Sequence, residues 1–211
     1  MSILSYERLM AEDISNSVKF APFVAKMEAA DLSEMMIRVF HYYYNQLLAG
    51  ATGYVTSHDA QPVRAIPDYE ALDERYAIAG ESVLDKVVMV KLNGGLGTSM
   101  GMDGPKSLLP VKEGLSFLDI TVNQIKRTRA KWGVGLPLVL MNSFATHEKT
   151  LQALAAYENF DQDIPFGFVQ HKVPKICKET MAPAHWPESP TREWNPPGHG
   201  DLYAAISTSG S

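Results

Sequence analysis

The chain has a single cysteine, Cys177, among 211 residues. One thiol excludes an internal disulfide and any zinc site built on several cysteines, and it suits a reducing compartment. Long apolar runs are missing too: none approaches the ~20 residues that a membrane-spanning helix requires. The first ten residues, MSILSYERLM, contain no signal-peptide core. A soluble, cytoplasmic protein is the expectation. Positive charge is not in excess. Nineteen basic residues stand against 24 acidic ones, a net charge of −5, which argues against an electrostatic nucleic-acid binder. Repeats and low-complexity tracts are absent. What remains is ordinary globular composition, 45% hydrophobic and 20% charged. A chain of this length buries roughly 70% of its unfolded surface and needs neither disulfide nor metal to fold.

The first third reads as helical. Leu9, Ile14, Val18, Phe23, Val24 and Met27 recur at helical intervals and predict a helix over Tyr6–Ala30. Asp31–Glu34 supplies capping residues for a second helix, Met35–Leu48, closed by Gly50 and Gly53. Its stripe of Met36, Val39, Phe40, Tyr43 and Leu47 reads as a core face. Thr56–Asp68, with Pro62 and Pro67, reads as a polar linker, followed by a short helix near Tyr69–Tyr76.

From Lys86 the pattern changes. Lys86–Leu92 is short, apolar and β-branched, the signature of a strand buried on both faces. A helix over Phe117–Trp132, a strand over Pro137–Met141, a helix over Thr146–Tyr157 and a strand over Phe166–Gln170 follow. Strands alternating with helices imply right-handed βαβ units. The fold class is therefore α/β: a helical amino-terminal segment and linker over 1–85, then a domain with a mostly parallel sheet over 86–211. Ligands of such sheets sit beyond the carboxyl ends of the strands, which directs attention to the loop after the first strand.

That loop runs LNGGLGTSMGMDGPKS from Leu92 to Ser107, with five glycines in the eleven positions from Gly94 to Gly104. Glycine leaves room for a phosphate to approach backbone N–H donors. The spacing fits neither common phosphate fingerprint. In the dinucleotide pattern G-x-G-x-x-G, Met100 stands where the third glycine should be. In the P-loop pattern, Pro105 stands where glycine should precede Lys106.

The string from Lys91 to Ser107, KLNGGLGTSMG–x–x–GPKS, closely resembles the eukaryotic UTP–glucose-1-phosphate uridylyltransferases, the UDP-glucose pyrophosphorylases. The resemblance continues in FLDITVNQI (117–125), PLVLMNSF (137–144), FVQHKVPKI (168–176) and WNPPGHGD (194–201). It covers about residues 86–205 in the family's order and implies that 86–211 is the first, incomplete part of a Rossmann-like nucleotidyltransferase domain. The implied reaction joins UTP and glucose 1-phosphate to give UDP-glucose and pyrophosphate, with Mg2+ as cofactor.

Residue by residue, the resemblance implies that Leu92, Asn93, Gly94 and Gly95 form a backbone cradle for UTP, with Gly94 and Gly95 also meeting the sugar phosphate. Lys106 resembles the catalytic phosphate lysine beside the magnesium ion; an ammonium there neutralises charge growing on a transferring phosphoryl group. Gln170 resembles the glutamine that reads uracil, since an amide offers one donor and one acceptor group to a pyrimidine edge. Gly198 resembles the glycine whose backbone meets uracil, and His199 the histidine that touches the sugar phosphate.

Other candidates read as structural. Lys126, Arg127, Arg129 and Lys131 fall near a helix carboxyl end, where cations suit the dipole, so a solvated face is the reading rather than RNA binding. Lys172, Lys175 and Lys178 read as surface lysines. His41, His58, His147, His171 and His185 lack ligand spacing, so no structural zinc is expected. In the family the pattern continues past the last of these blocks with a strand ending in an Asn-x-Asp motif, whose aspartate holds magnesium, and the resemblance assigns that role to no residue here. The metal carboxylate is thus expected outside this chain, with Asp103 and Asp201 as the fallback. An incomplete sheet would leave a bare edge that favours a homo-oligomer. Two further readings follow the same motifs: an inactive nucleotide- or partner-binding remnant of the family, and a pyrophosphorylase for another UDP-sugar or for UDP-N-acetylhexosamine. The expected partners are UTP and glucose 1-phosphate, with no nucleic acid and no membrane.

Overall fold

The computed structural model describes residues 18–97, 100–102 and 104–208. Leu9, Ile14 and the first part of the helix expected over Tyr6–Ala30 lie outside the described residues. The chain divides into two units: the described residues up to Ile66 with Val173–Asn195, and Pro67–Lys172 with Pro196 onward.

In the first unit, helix α1 is Ala21–Glu28 and α2 is Glu34–Leu48. Val18 lies ahead of α1 in a turn and is 87% exposed, so it is not part of the apolar stripe. Ser33 caps α2 by accepting a hydrogen bond from the Met36 amide at 3.4 Å. The buried face of α2 is Met36, Ile37, His41 and Tyr44, with Phe40 partly buried; Tyr43 and Leu47 are exposed. The expected stripe is thus rotated. Tyr42, Tyr43 and Tyr44 put an aromatic on several sides of the helix, and packing against Phe20 and Phe23 selects Tyr44 (centroids 5.4 and 5.2 Å). The Tyr44 hydroxyl then donates to the Met181 carbonyl at 2.9 Å.

The second unit opens on a 3₁₀ turn, Tyr69–Ala71, and helix α3, Arg75–Glu81, which together replace the helix expected over Tyr69–Tyr76. Strand β1 is Met89–Asn93; strands β2 (Pro110–Lys112) and β3 (Leu115–Ser116) form a small antiparallel pair. Helix α4 is Phe117–Trp132, β4 is Leu138–Asn142, α5 is His147–Leu154 and β5 is Gly167–Val169. Beyond β6 (Val173–Pro174) and β7 (Trp194–Asn195) of the first unit, helix α6 is Leu202–Thr208. The main sheet is parallel, in the order β1-β4-β5, with Asn93 opposite Asn142 and Asn142 opposite Val169.

Helix α4 forms where expected because both ends are specified. Ser116 and Asp119 make a reciprocal capping box, and Gly133 follows the last turn. Its face of Leu118, Val122 and Ile125 packs on Leu138 and Leu140 of β4 with Leu154 and Phe160. The alternate β4 residue Met141 faces Phe168 and Ala205 on the other side of the sheet. Strand β4 is therefore buried on both faces, as a parallel strand requires.

Strand β1 departs from the expectation of burial: Met89, Val90 and Leu92 are about two-fifths exposed (41%, 38% and 40%). It is an edge strand, paired with β4 on one side among the described residues. Lys126 and Arg129 also depart from the reading of a solvated face. Lys126 donates to the Glu158 carbonyl, and the Arg129 guanidinium donates to Leu136 and Asp161 carbonyls (3.2 and 3.0 Å) over the Phe160 ring. No described helix is long and apolar enough to cross a membrane.

Candidate functional site

The site is built outward from the carboxyl end of β1. Asn93 closes the strand with its side chain turned inward: Nδ2 donates to Asn142 Oδ1 at 2.7 Å and to Thr150 Oγ1 at 2.9 Å. Its carbonyl accepts from Thr146 Oγ1 at 3.0 Å. Both the side chain and the carbonyl of Asn93 thus serve to fix the end of β1.

After Asn93 the glycine loop doubles back on itself. The Gly97 amide donates to the Gly104 carbonyl at 2.9 Å and the Lys106 amide to the Gly95 carbonyl at 3.0 Å, so Leu96 and Pro105 bridge antiparallel. Thr98, Ser99 and Asp103 lie outside the described residues. The fold-back lays the Lys106 side chain along Gly95, where a Cβ would stand 3.6 Å from Lys106 Cδ. Gly94 is required for a different reason. A Cβ there would lie 1.9 Å from Gln170 Nε2, so any side chain at 94 would expel the Gln170 amide.

Leu92, Asn93, Gly94, Gly95 and Lys106 line one cavity of about 380 Å³, and His199 reaches it from the turn before α6. The structure thus gathers six of the eight candidate residues around a single space. Gln170 stands behind Gly94, just past the end of β5, with its backbone N–H donating to the Asn142 carbonyl at 2.8 Å. Gly198 has φ +119° and ψ 175°, a conformation essentially confined to glycine, and it sets the entry to the His199–Asp201 turn.

Three further lining residues escaped the assignment of roles: Lys91, Ser107 and Phe117. Lys91 and Ser107 are the first and last residues of the motif, so the signal was present. Lys91 donates to Thr121 Oγ1 at 3.0 Å, which holds its ammonium beside the cavity. Ser107 is buried, and its hydroxyl has no hydrogen-bond partner. Gln170 Oε1 is likewise buried and unpartnered. A buried polar atom without a partner costs on the order of 1–3 kcal/mol. Ser107 lines the cavity, and Gln170 stands behind Gly94, which also lines it.

The lining contains two lysines and a histidine and no carboxylate. Its chemistry suits an anion. Asp201, the fallback carboxylate for a metal, is not available: Oδ2 accepts from the His171 amide at 2.7 Å and Oδ1 faces His171 Nδ1 at 2.8 Å. Asp103 lies outside the described residues. Among the described residues no three His, Cys, Asp or Glu side chains are grouped to hold a metal ion. The described donor set therefore does not fit a magnesium site.

The model of the UTP–glucose-1-phosphate uridylyltransferase family matches residues 37–211. The probable UTP–glucose-1-phosphate uridylyltransferase of Schizosaccharomyces pombe is 43% identical over 146 residues, which is 69% of this chain and 28% of that protein. The Solanum tuberosum protein of that name is 46% identical over 131 residues, 62% of this chain and 27% of its own length. Among solved structures, UDP-glucose phosphorylase from Trypanosoma brucei superposes with a TM-score of 0.74 at 38% identity, covering 92% of this chain and 40% of that one. A variant of Leishmania major UDP-glucose pyrophosphorylase in complex with UDP-glucose gives a TM-score of 0.77 at 38% identity, covering 93% and 41%. The chain thus spans a little over a quarter of the length of these curated relatives.

Proposed function

Because this chain belongs to the UTP–glucose-1-phosphate uridylyltransferase family, we propose that it supplies the nucleotide-binding part, from residue 86 onward, of a nucleotidyltransferase that converts UTP and glucose 1-phosphate to UDP-glucose and pyrophosphate. One observation carries the proposal. The cavity beyond β1 places the Lys106 and His199 side chains against the Leu92–Gly95 backbone, with the unpaired Gln170 acceptor immediately behind Gly94.

In this reading the uracil ring lies against Gln170, whose Oε1 accepts from the ring N–H and whose Nε2 donates to a ring carbonyl. Gly198 offers backbone to the same base, as no side chain obstructs it. The triphosphate follows the glycine loop to Lys106. His199 meets the phosphate of glucose 1-phosphate. An oxygen of that phosphate attacks the α-phosphorus of UTP; the bond from that phosphorus to the bridging oxygen breaks, and pyrophosphate leaves with the electron pair. No protein nucleophile is needed. The residues align two anions and neutralise charge, which is where phosphoryl and nucleotidyl transfer gain most. Magnesium belongs to the proposal as an ion carried by substrate phosphate oxygens; the roles given to the described residues do not depend on it. The free Cys177 supports a cytoplasmic setting.

Titration calorimetry of the purified chain tests the assignment. UTP should bind at least about tenfold more tightly than ATP, since sites built on base hydrogen bonds discriminate strongly. Gln170→Leu should remove that preference while leaving the weaker ATP affinity in place. Equal affinities for UTP and ATP in the unaltered chain would overturn the proposal.

A further inference from the structure

Asp201 has no part in the proposed chemistry, yet it is among the best-held carboxylates of the chain: its side chain is 3% exposed and that of its partner His171 is 15% exposed. It makes two contacts with one residue. Oδ2 accepts the His171 backbone N–H at 2.7 Å, and Oδ1 accepts from the ring at Nδ1, 2.8 Å away. The other ring nitrogen, Nε2, faces the Thr208 hydroxyl of α6 at 3.2 Å.

The positions of the two partners give this pairing its meaning. His171 directly follows Gln170, and Asp201 stands two residues after His199. The Gln170 amide still bonds to the Asn142 carbonyl of β4, whereas the next amide, that of His171, finds its acceptor in the Asp201 carboxylate. On the other segment, the turn entered at Gly198 is closed internally by the Asp201 amide on the Gly198 carbonyl at 3.2 Å and by the Leu202 amide on the His199 carbonyl. Those two bonds shape the turn itself, and the Asp201 carboxylate is what ties it to the end of β5.

We infer that Asp201 and His171 are positioning residues: a two-bond clamp that fixes the Gly198–His199 turn against the strand end carrying Gln170. The clamp sets the separation between the group that reads the base and the group that meets the sugar phosphate, so it rests on the uridylyltransferase reading for the identity of those ligands. It acts on a ligand that spans both segments. It does not act on one held by the glycine loop and Lys106 alone.

UDP-glucose and inorganic pyrophosphate are the two probes, measured by calorimetry on the 211-residue chain. Asp201→Ala removes both bonds and His171→Ala only the ring bond, because alanine keeps its backbone N–H. UDP-glucose affinity should fall about tenfold for Asp201→Ala and about threefold for His171→Ala, with the double variant no weaker than Asp201→Ala. Pyrophosphate affinity should stay within about twofold in all three. Equal losses for both probes, or additive losses in the double variant, would overturn the clamp. Hydrogen exchange on the unaltered, ligand-free chain decides the case even where the variants fail to fold. The His171 amide should exchange as slowly as the amides of β5, and exchange at the rate of an exposed loop would overturn the clamp. A chain that binds neither UTP nor UDP-glucose refutes the functional proposal, while the His171 amide still decides whether the clamp exists.

Discussion

The two sides of the β1 carboxyl end are built on opposite rules. Behind the strand, every polar side chain is paired: Asn93 with Asn142 and Thr150, Thr146 with the Asn93 carbonyl, Thr150 with the Thr146 carbonyl at 2.7 Å. On the ligand side, Ser107 Oγ next to the exposed Lys106 and Gln170 Oε1 beyond Gly94 are buried with no partner. The paired network makes the strand ends rigid, since a fully satisfied buried network specifies one arrangement. The unpaired front is the part of the fold that a ligand completes. The contrast separates what holds the site from what the site holds.

The largest expected effect comes from breaking the back. Asn142→Ala deprives Asn93 Nδ2 of its shorter bond at a position that is fully buried. It should lower stability by about 2–3 kcal/mol, read as a shift in the urea midpoint. A loss of less than about 1 kcal/mol would mean that the back is no more committed than the front. Lys106→Met attacks the front and should do the reverse. A charge-assisted contact is worth about 1.5–3 kcal/mol, so UTP affinity should drop by roughly 10–100-fold at an unchanged urea midpoint. A drop below about threefold would remove Lys106 from the phosphate site.

The two sides were not equally legible in the sequence. The front was visible because the glycines and Lys106 stand in one contiguous motif, with Gln170 and His199 in ordered blocks after it, and six of eight assigned residues line one cavity. The back depends on Asn93 meeting Asn142 and Thr150, 49 and 57 residues further along the chain, which only the β1–β4 pairing and the helix after β4 bring about. The same separation explains Asp201. Spacing alone left it as a candidate metal carboxylate, whereas its commitment to His171, 30 residues away, is a tertiary fact. Helix α4 was readable to the residue because its signals are local: a capping box at one end and a glycine at the other. The burial of β1 was misread because an apolar β-branched run reports what a strand can pair with, and not whether both neighbours are present. The face of α2 was misread because an aromatic-rich helix has no single apolar stripe until Phe20 and Phe23 choose one.

A smaller effect extends the paired side to its far end, where α4 begins. The Asp119 carboxyl is held below the ordinary range, chiefly by the Ser116 hydroxyl, then by the Tyr157 hydroxyl and the Ser116 amide. The Tyr157 phenol is pushed above its ordinary range, first by burial and then by its bond to Asp119. A depressed carboxyl contributes stability above about pH 3.9 that is lost as pH falls through its folded value. A raised phenol contributes stability below about pH 10 that is lost as pH rises through its folded value. Thermal unfolding against pH should therefore show both limbs. Asp119→Asn should flatten the acid limb and cost about 1 kcal/mol at neutral pH, the order of a lost helix cap. An acid limb identical to that of the unaltered chain would show that Asp119 does not couple to folding.

The smallest effect on stability is expected at Ser107, and its sign is what matters. The hydroxyl is desolvated without a partner, so it costs free energy in the ligand-free fold. Ser107→Ala removes that cost and leaves a methyl in a buried position that accepts one. The urea midpoint should stay level or rise, by up to about 1 kcal/mol of stability. Binding should move the other way. The hydroxyl neighbours Lys106 on the cavity wall, where a phosphate oxygen would accept its proton, so affinity for pyrophosphate and UTP should fall by about 3–10-fold. Stability and affinity changing in opposite directions is the behaviour of a group whose partner is the ligand. If instead the variant loses stability and binds both ligands unchanged, Ser107 belongs with Asn93 and Asn142, and the division between a paired back and an unpaired front fails at the residue where it is sharpest.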